Sequence, residues 1–320
     1  MLAVVGRYSL ATVTPTTASV HRLVQAVIQA RLGKDGERGW AEVAVSLLRA
    51  SFPNESWEVA TWATCERLLP HVLAVAGHAE RLGVAREQAG WLLDRASVYL
   101  SGRGQYRQAR PIAERALAVT ETALGPEAVE VAGRCNELGR LLRQLGDPAG
   151  ARAQCERALA ISEAALGPDH PTVASYRNNL GVALWALGDL AGAKAQLERA
   201  LEIGKAALGP NHPNVAVAHS VLGLVLQDSG DLVGAKAQFE RALAVGKAAL
   251  GPNHPEVAVW HNNLGRVLGA LGDLAGARAQ LERALEIGKA ALGPDHPDVA
   301  LYRRGLAAVA VELGESVAGL

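Results

Sequence analysis

A fixed spacing of 42 residues runs through most of this chain. The tripeptide Leu-Gly-Pro begins at residues 124, 166, 208, 250 and 292, and Gly-Asp or Gly-Glu recurs at the same interval from residue 146 to residue 314. A period of this length, kept over five copies, is typical of solenoids built from stacked supersecondary units. The sequence therefore predicts a repeat array, whose core grows along one axis.

Each repeat contains two amphipathic segments. In the unit that follows residue 169, Leu180 and Leu184 mark the apolar stripe of the first segment, and Leu197 and Leu201 mark that of the second. Apolar residues recur at three- and four-residue steps in both segments, which predicts two α-helices.

Glycine and proline mark the ends of these helices. Gly188 and Gly209 are each free to adopt the positive φ that ends a helix, and Pro171 suits the first turn of the next one. A polar residue precedes each first helix, and we expect its side chain to cap the first amides. These residues are Asp169, Asn211, Asn253 and Asp295.

Small residues stand where the two helices of a unit should cross. Gly181, Ala193 and Ala200 have the Gly-8, Ala-20, Ala-27 spacing that resembles the tetratricopeptide repeat. The 42-residue length, the Asn178-Asn179-Leu180 run and the ALGPDHP ending resemble its kinesin-light-chain subtype. The resemblance covers residues 86–320 and implies an all-α fold, a right-handed α-solenoid. We expect five helix pairs and a closing helix at 86–124, 127–166, 170–208, 212–250, 254–292 and 297–313.

Composition excludes several other classes of protein. The 32 basic and 32 acidic residues give no net charge, so nothing favours a nucleic acid or an anionic membrane as partner. No apolar run is long enough to span a bilayer and no signal peptide is visible. Cys65, Cys135 and Cys155 form no CxxC pair, which is typical of a protein in a reducing compartment, and we expect a cytoplasmic protein. Cys135 and Cys155 lie at apolar positions of helical patterns, and we expect both to be small buried apolar side chains.

The two helices of a repeat vary to different extents. Residues 192–213 and 234–255 differ at three of 22 positions, whereas 171–191 and 213–233 differ at 12 of 21. Because these copies were duplicated together, the contrast indicates a shared scaffold in the second helices and a diversified surface on the first. First helices line the concave face of a tetratricopeptide array, so the resemblance implies that ligand binds there.

Repeat positions 2, 5, 9, 12 and 13 of the first helices are the concave ones in this family. Carried onto this sequence, they predict a protein or peptide site formed by Asn136, Arg140, Arg143, Ser175, Asn178, Val182, Trp185, Ser220, Leu224, Gln227, Asn262 and Arg266.

Three residue types in this set carry specific expectations, each with an alternative. Asn136, Asn178 and Asn262 form a ladder whose amides can pair with a peptide backbone, or can be solvated or bridge adjacent helices. Trp185 is an expected anchor, or packs against a neighbouring helix. The arginines can bind carboxylates, or can be solvated surface residues.

Other candidate sites are weak. His170 and its equivalents at 212, 254 and 296 recur once per helix layer, too far apart to share a metal ion, and are interpreted as part of the turn. No phosphate-binding loop, nucleophile elbow or HExxH motif is present. We therefore expect no catalysis, no metal and no cofactor.

The N-terminal segment is different in character. Residues 7–13 alternate as a strand would, 14–17 indicate a turn, and a returning strand and a helix through Leu32 follow. The stretch YSLAT…SVHRLVQAVIQARL resembles the end of the winged helix of an NB-ARC-type STAND ATPase, in which a Met-His-Asp motif senses nucleotide. Here Val20-His21-Arg22 lacks the Met and the Asp, so we expect a winged-helix remnant without its ATPase domain, as in a fragment or a decayed gene, and a partly buried His21.

Residues 33–85 are interpreted as a helical adaptor. Helices are expected at 39–50, 57–69 and 71–82, and Pro70 is expected to kink or to separate the last two. Trp40, Trp57 and Trp62 should supply apolar area for packing. The predicted domains are therefore 1–32, 33–85 and the array at 86–320.

Two functional classes remain open. The first is a non-catalytic protein- or peptide-binding module, the sensor part of a bacterial STAND-type signalling or defence protein. The second is a scaffold that self-associates through the array or the N-terminal region. Mixed Asn, Arg and Trp chemistry favours the first class, whereas a large apolar patch at one end would favour the second.

Overall fold

The computed structural model describes residues 11–13, 18–20 and 22–315. The chain divides into two compact units, residues 1–126 and residues 127–320. The first repeat pair therefore belongs to the same unit as the N-terminal helices, and the remaining repeats form the second unit.

The first unit begins with two short strands, β1 (Ala11–Val13) and β2 (Ala18–Val20). They pair antiparallel, with Thr12 opposite Ser19. The expected turn at 14–17 and His21 lie outside the described residues. Two strands of three residues do not establish a winged helix, which stays a prediction.

Four helices complete the first unit. α1 (Arg22–Ser51) is interrupted by non-helical backbone at Gly33, and α2 (Trp62–Leu82) follows a short 3-10 turn at Val59–Thr61. The first repeat pair consists of α3 (Arg86–Gly102) and α4 (Tyr106–Leu124).

Separation of two helices at Pro70, one of the two alternatives expected there, is wrong, and so is the packing role expected of Trp40 and Trp57. Pro70 does not separate two helices: α2 runs through it, because Cys65, Val72 and Ala76 are buried along one continuous face. Trp57 lies before α2, and both Trp40 and Trp57 are more than half exposed, so neither supplies the packing area expected of it.

The second unit contains four helix pairs and a final helix, as the repeat predicts. Their bounds are α5 Val129–Gln144, α6 Pro148–Leu166, α7 Pro171–Ala186, α8 Leu190–Leu208, α9 Pro213–Asp228, α10 Leu232–Leu250, α11 Pro255–Ala270, α12 Leu274–Leu292 and α13 Pro297–Glu312. Gly188 and Gly209 have φ of 82° and 90°, which confirms their role in ending helices.

The helices of a pair touch at one glycine of the first helix. A Cβ at Gly181 would lie 2.8 Å from Cγ of Leu197, and a Cβ at Gly265 would lie 2.8 Å from Cγ of Leu281. In the α9–α10 pair the neighbour is Phe239, whose Cε1 would lie 2.7 Å from a Cβ at Gly223. The small residues predicted at the helix crossing are therefore required for close approach.

A carboxylate caps each second helix of the second unit. In α8, Oδ1 of Asp189 accepts a hydrogen bond from the amide of Gly192 at 2.9 Å, and Asp231 and Gly234 do the same in α10 at 2.8 Å. A Cβ on either glycine would overlap the capping carboxylate. In the Gly-Asp-x-x-Gly motif, the aspartate thus caps the helix, and the second glycine donates the amide and leaves room for the carboxylate.

Four first helices, α7, α9, α11 and α13, are capped by histidine and not by the residue expected. Nδ1 of His170 accepts a hydrogen bond from the amide of Thr172 at 3.2 Å, and the other three histidines of this motif make the same contact. Asp169 instead accepts from the Arg199 guanidinium at 2.6 Å. The histidines belong to the turn as predicted, and they supply the cap themselves.

All three cysteines are free and buried, which confirms the burial predicted for Cys135 and Cys155. Cys155 lies against Gly139 at the helix crossing of the α5–α6 pair, and burial raises the pKa of its thiol to about 12. Such a thiol is inert at neutral pH.

We predict that two glycine-to-alanine substitutions will have opposite effects. Gly181→Ala should destabilise the protein by about 1–3 kcal/mol, because overpacking against Leu197 outweighs the gain in helix propensity. Gly269→Ala should stabilise it by up to about 1 kcal/mol, because its Cβ would meet nothing closer than 3.8 Å. Urea denaturation measures both, and equal effects would contradict the packing described.

The histidine cap gives a second prediction. His170→Ala should lower stability by about 0.5–2 kcal/mol, the usual cost of losing an N-cap acceptor. His170→Asp keeps an acceptor at the N-terminus and should lose much less. If the two variants melt at the same temperature, the Nδ1 contact contributes nothing.

Candidate functional site

All twelve residues predicted to bind ligand lie on first helices of the second unit. Successive first helices in this unit, from α5 to α13, approach one another closely. Residues at equivalent positions therefore line one continuous surface, which we call the first-helix face and define by these twelve residues.

The three asparagines of the expected ladder have different surroundings. Asn136 Oδ1 accepts a hydrogen bond from Nδ2 of Asn179 at 2.8 Å, so this amide bridges neighbouring helices. Asn262 is only 2% exposed. Asn178 is half-buried, and its Oδ1 is shielded from solvent without a hydrogen-bond partner. Of the three, Asn178 alone combines partial exposure with an unused acceptor.

Trp185 is held by the neighbouring first helix. Its Nε1 donates to Oδ2 of Asp228 at 2.8 Å, and the ring packs partly buried against the core. Trp185 thus packs against a neighbouring helix, which was the alternative to a role as ligand anchor. Part of its ring stays accessible to a ligand.

The arginines differ in how firmly they are engaged. Arg140 is exposed and pairs with the nearly buried Glu137 at 2.8 Å. Arg143 is half-buried, whereas Arg266 is exposed. Arg266 is therefore the arginine of the set best placed to bind an incoming carboxylate.

The remaining members of the set are mainly apolar or buried. Val182 and Leu224 are half-buried, Ser220 is 7% exposed, and Gln227 has a shielded Oε1 without a partner. The first-helix face therefore mixes apolar area, amides and a guanidinium.

A cavity of about 130 Å³ lies where α7, α8 and α9 meet. Ser175 and Asn178, both predicted site residues, form part of its wall. The other lining residues lie outside the predicted set of twelve and are Ala174, Asn179, Ala200, Gly204, Leu208, Asn214, Val215, Val217 and Ala218.

A signal for this cavity was present in the sequence. Ala218 stands at a first-helix position that is aromatic in three other repeats, as Tyr176, Trp260 and Tyr302. Comparing side-chain size at one repeat position would have revealed the gap, whereas counting differences along whole helices did not.

Part of the first-helix variation has a packing origin. Of the twelve residues of 213–233 that differ from the preceding repeat, four are buried, namely Ala218, His219, Ser220 and Val225. Variation along the first helices therefore reflects contacts between neighbouring pairs as well as surface.

Two buried histidines occupy the same position in successive repeats. Nδ1 of His219 lies 2.6 Å from Oε1 of Gln238, and His261 makes the same contact with Gln280. Burial lowers the pKa of both imidazoles to about 4, with smaller contributions from Lys205 and Arg241 at the first and from Lys247 and Arg283 at the second. Both histidines are therefore neutral at pH 7.

These histidines predict acid sensitivity. Unfolding raises each pKa from about 4 toward its ordinary 6.5, so the unfolded chain binds more protons between these values. Stability should fall as pH drops from 6.5 to 4 and should stop falling from this cause below pH 4. The double variant His219→Asn, His261→Asn should show a smaller loss between pH 7 and pH 5 in urea denaturation. Identical pH profiles would contradict the assignment.

The family is established by comparison with protein-family models. The tetratricopeptide repeat model matches residues 134–206, 178–248, 215–290 and 257–317, and a second tetratricopeptide model matches 91–127. More than half of the chain is covered, and the chain belongs to the tetratricopeptide repeat family. Repeats of this family form protein-interaction or scaffold modules and are generally non-catalytic. Comparison with curated proteins gives no significant match.

Solved structures share the fold. BtubC (BKLC) from P. vanneervenii is 24% identical, with a TM-score of 0.58 over 74% of this chain and 92% of its own. A kinesin-light-chain-type protein of Podosopora anserina with nearly identical TPR-like repeats is 23% identical, with a TM-score of 0.53 over 62% of this chain and 95% of its own. At these identities the likeness establishes a kinesin-light-chain-like fold and no more.

Two further searches concern the described residues alone. In that part of the chain, no helix has the length and apolarity needed to cross a membrane. Within the same residues, no group of three His, Cys, Asp or Glu side chains could hold a metal ion.

Proposed function

We propose that this chain is a non-catalytic module that binds a protein or peptide on the first-helix face. The observation that carries the proposal is the contrast between nearly constant second helices and diversified first helices. Eight of the twelve differing positions in 213–233 remain at least partly exposed, so packing explains only a part of the diversity.

The chemistry of the face supports an extended peptide as ligand. Arg266 offers an exposed guanidinium, Asn178 an unpartnered amide oxygen, and Val182 and Leu224 offer half-buried apolar area. A peptide backbone needs hydrogen-bonding groups, and its side chains need alternating apolar and charged contacts. No cofactor takes part in this proposal.

Selection of ligands from a random peptide library tests the proposal. Peptides are selected on the purified chain, and the affinity of the best one is then measured by calorimetry against variants. Trp185→Ala should weaken binding about 30-fold or more, as loss of an aromatic anchor does, and Arg266→Ala should weaken an acidic peptide several-fold.

Second-helix lysines provide matched controls. Lys194 and Lys236 lie on α8 and α10, where they pair with Glu198 and Glu240 on the same helices. Lys194→Ala and Lys236→Ala should leave the affinity unchanged. If these changes abolish binding and the first-helix changes do not, the ligand binds the opposite face and the proposal is wrong.

We further propose a sensor role in a bacterial STAND-type signalling or defence system, in the cytoplasm. The support is the resemblance of the N-terminal stretch to the end of a winged helix, together with two paired strands that precede a helix at Arg22. In such a system the nucleotide is bound by a phosphate loop, which this sequence lacks. Calorimetry with Mg-ATP should show no binding at micromolar concentration, and tight binding would contradict this assignment.

One observation favours self-association as a second candidate function. Trp40, Val43 and Leu47 lie at helical spacing on α1 and are 63%, 47% and 64% exposed. Three large apolar side chains on one face are typical of a surface that is covered by another chain. Light scattering should then show a dimer that the double variant Trp40→Ser, Leu47→Ser converts to monomer. A wild-type monomer at high micromolar concentration would exclude this candidate.

A further inference from the structure

One repeat position determines how neighbouring helix pairs of the second unit fill the space between them. In α7, α11 and α13 this position carries a ring, in Tyr176, Trp260 and Tyr302 respectively. In α9 it carries the methyl group of Ala218. Trp260 and Tyr302 are buried, at 3% and 1% exposure.

In α11 and α13, a glycine of the preceding second helix makes room for the ring, whereas Ser162 stands at this position before α7. At Gly246 a Cβ would overlap the ring of Trp260, and at Gly288 it would lie 2.9 Å from Cε2 of Tyr302. The equivalent glycine before α9 is Gly204, where a Cβ would meet only Cγ2 of Val215, at an ordinary 3.5 Å. The space for a ring is kept at this junction although the ring itself is absent.

The cavity of about 130 Å³ occupies this space. Its apolar wall comes from alanine, leucine and valine side chains and from Gly204, and its polar wall from Ser175, Asn178, Asn179 and Asn214. Apolar cavities of roughly 150 Å³ bind benzene-sized rings. Asn214 is exposed, so the cavity opens to solvent on that side.

The amide of Asn178 adds a polar requirement. Its Oδ1 is shielded from water and accepts no hydrogen bond. A buried acceptor without a donor is unfavourable, and a rotation of the amide that turns Oδ1 toward the cavity lets a ligand N–H or O–H donate to it and removes that penalty. Asn178 has no equivalent at the next junction, where Ser220 stands in its place.

We propose that the cavity between α7, α8 and α9 binds a planar aromatic ring that carries one hydrogen-bond donor, of the indole or phenol type. The chain itself shows what fits, because it places an indole or a phenol at the same position of three other repeats. The ring comes either from a free small molecule or from a side chain of a bound peptide. The first source is independent of the function proposed above, and the second rests on it.

Ligand titrations test the chemistry of the site. Indole, phenol and benzene are titrated into the full chain, with binding followed by ligand-observed NMR. Indole and phenol should bind with dissociation constants in the millimolar range or below, and benzene should bind about tenfold more weakly. Asn178→Ala should weaken indole and phenol by a similar factor and leave benzene unchanged. Equal binding of all three rings to wild type and variant would overturn the role of Asn178.

Filling the cavity tests its location. Ala218→Trp copies the residue that packs against Gly246 in the next repeat, and Ala218→Tyr copies Tyr302. At least one of them should keep the helical content, raise the Tm and abolish binding of all three rings. If a folded, cavity-filled variant still binds indole as wild type does, the ring binds elsewhere and the proposal is wrong.

A reciprocal variant gives an internal control. Trp260→Ala should open a second space above Gly246 and add a second ring site without an Asn178 equivalent. This new site should bind benzene and indole about equally. If Trp260→Ala gains no ring site although the chain stays folded, an empty space of this shape is insufficient for binding.

The two sources of the ring are distinguished by one comparison. If N-acetyl-tryptophanamide and N-acetyl-tyrosinamide bind more tightly than indole and phenol, the site receives a peptide side chain. If the capped amino acids are excluded while the free rings bind, the ligand is a small molecule. Both outcomes support the ring site. If library-selected peptides bind the Ala218→Trp variant as tightly as wild type, these peptides bind the first-helix face without using this cavity. The function proposed above then stands, and the cavity is not the site of a peptide side chain.

Discussion

The close approach of two helices at a single glycine sets the geometry of every repeat in the second unit. At Gly181 and Gly265 the backbone of the first helix lies against a leucine of the second, and any larger residue would push the helices apart. Because interhelical distance depends on the side chains at the crossing, a glycine on the first helix at every crossing keeps the pairs similar in thickness, although its neighbour is leucine in two pairs, Phe239 in a third and Cys155 in a fourth. Regular stacking then follows, and equivalent residues line up along one face.

Local signals allowed the sequence to predict most of this fold. Glycines at positive φ and prolines in first turns act within a few residues, so the bounds of α7 and α8 could be derived without knowing their neighbours. The sequence assigned the cap of α7 to Asp169, whereas His170 is the residue that caps it. The carboxylate of Asp169 instead accepts a hydrogen bond from Arg199. Arg199 lies 30 residues away, so local sequence gives no sign of this contact. The helix break expected at Pro70 failed for a similar reason, since burial on one face of α2 outweighs a local preference.

The candidate site was harder to predict, because equivalent residues have different neighbours. Asn178 and Asn262 occupy the same repeat position, yet Asn178 lines a cavity while Asn262 is buried close to Gly305 of the next first helix, α13. The position numbers of the tetratricopeptide repeat place both asparagines on one face of the array. They give no information about which neighbouring residues cover each side chain. The cavity itself arises from a missing side chain at Ala218, and a residue that is small draws little attention in a sequence rich in alanine.

Gly204, Gly246 and Gly288 have a consequence for how such a chain can change over generations. Each glycine keeps a recess ready, and one residue of the next helix decides whether the recess is filled. A single codon change can therefore open or close a pocket at one junction while the helices that frame it stay the same. Pockets can then be gained or lost one junction at a time.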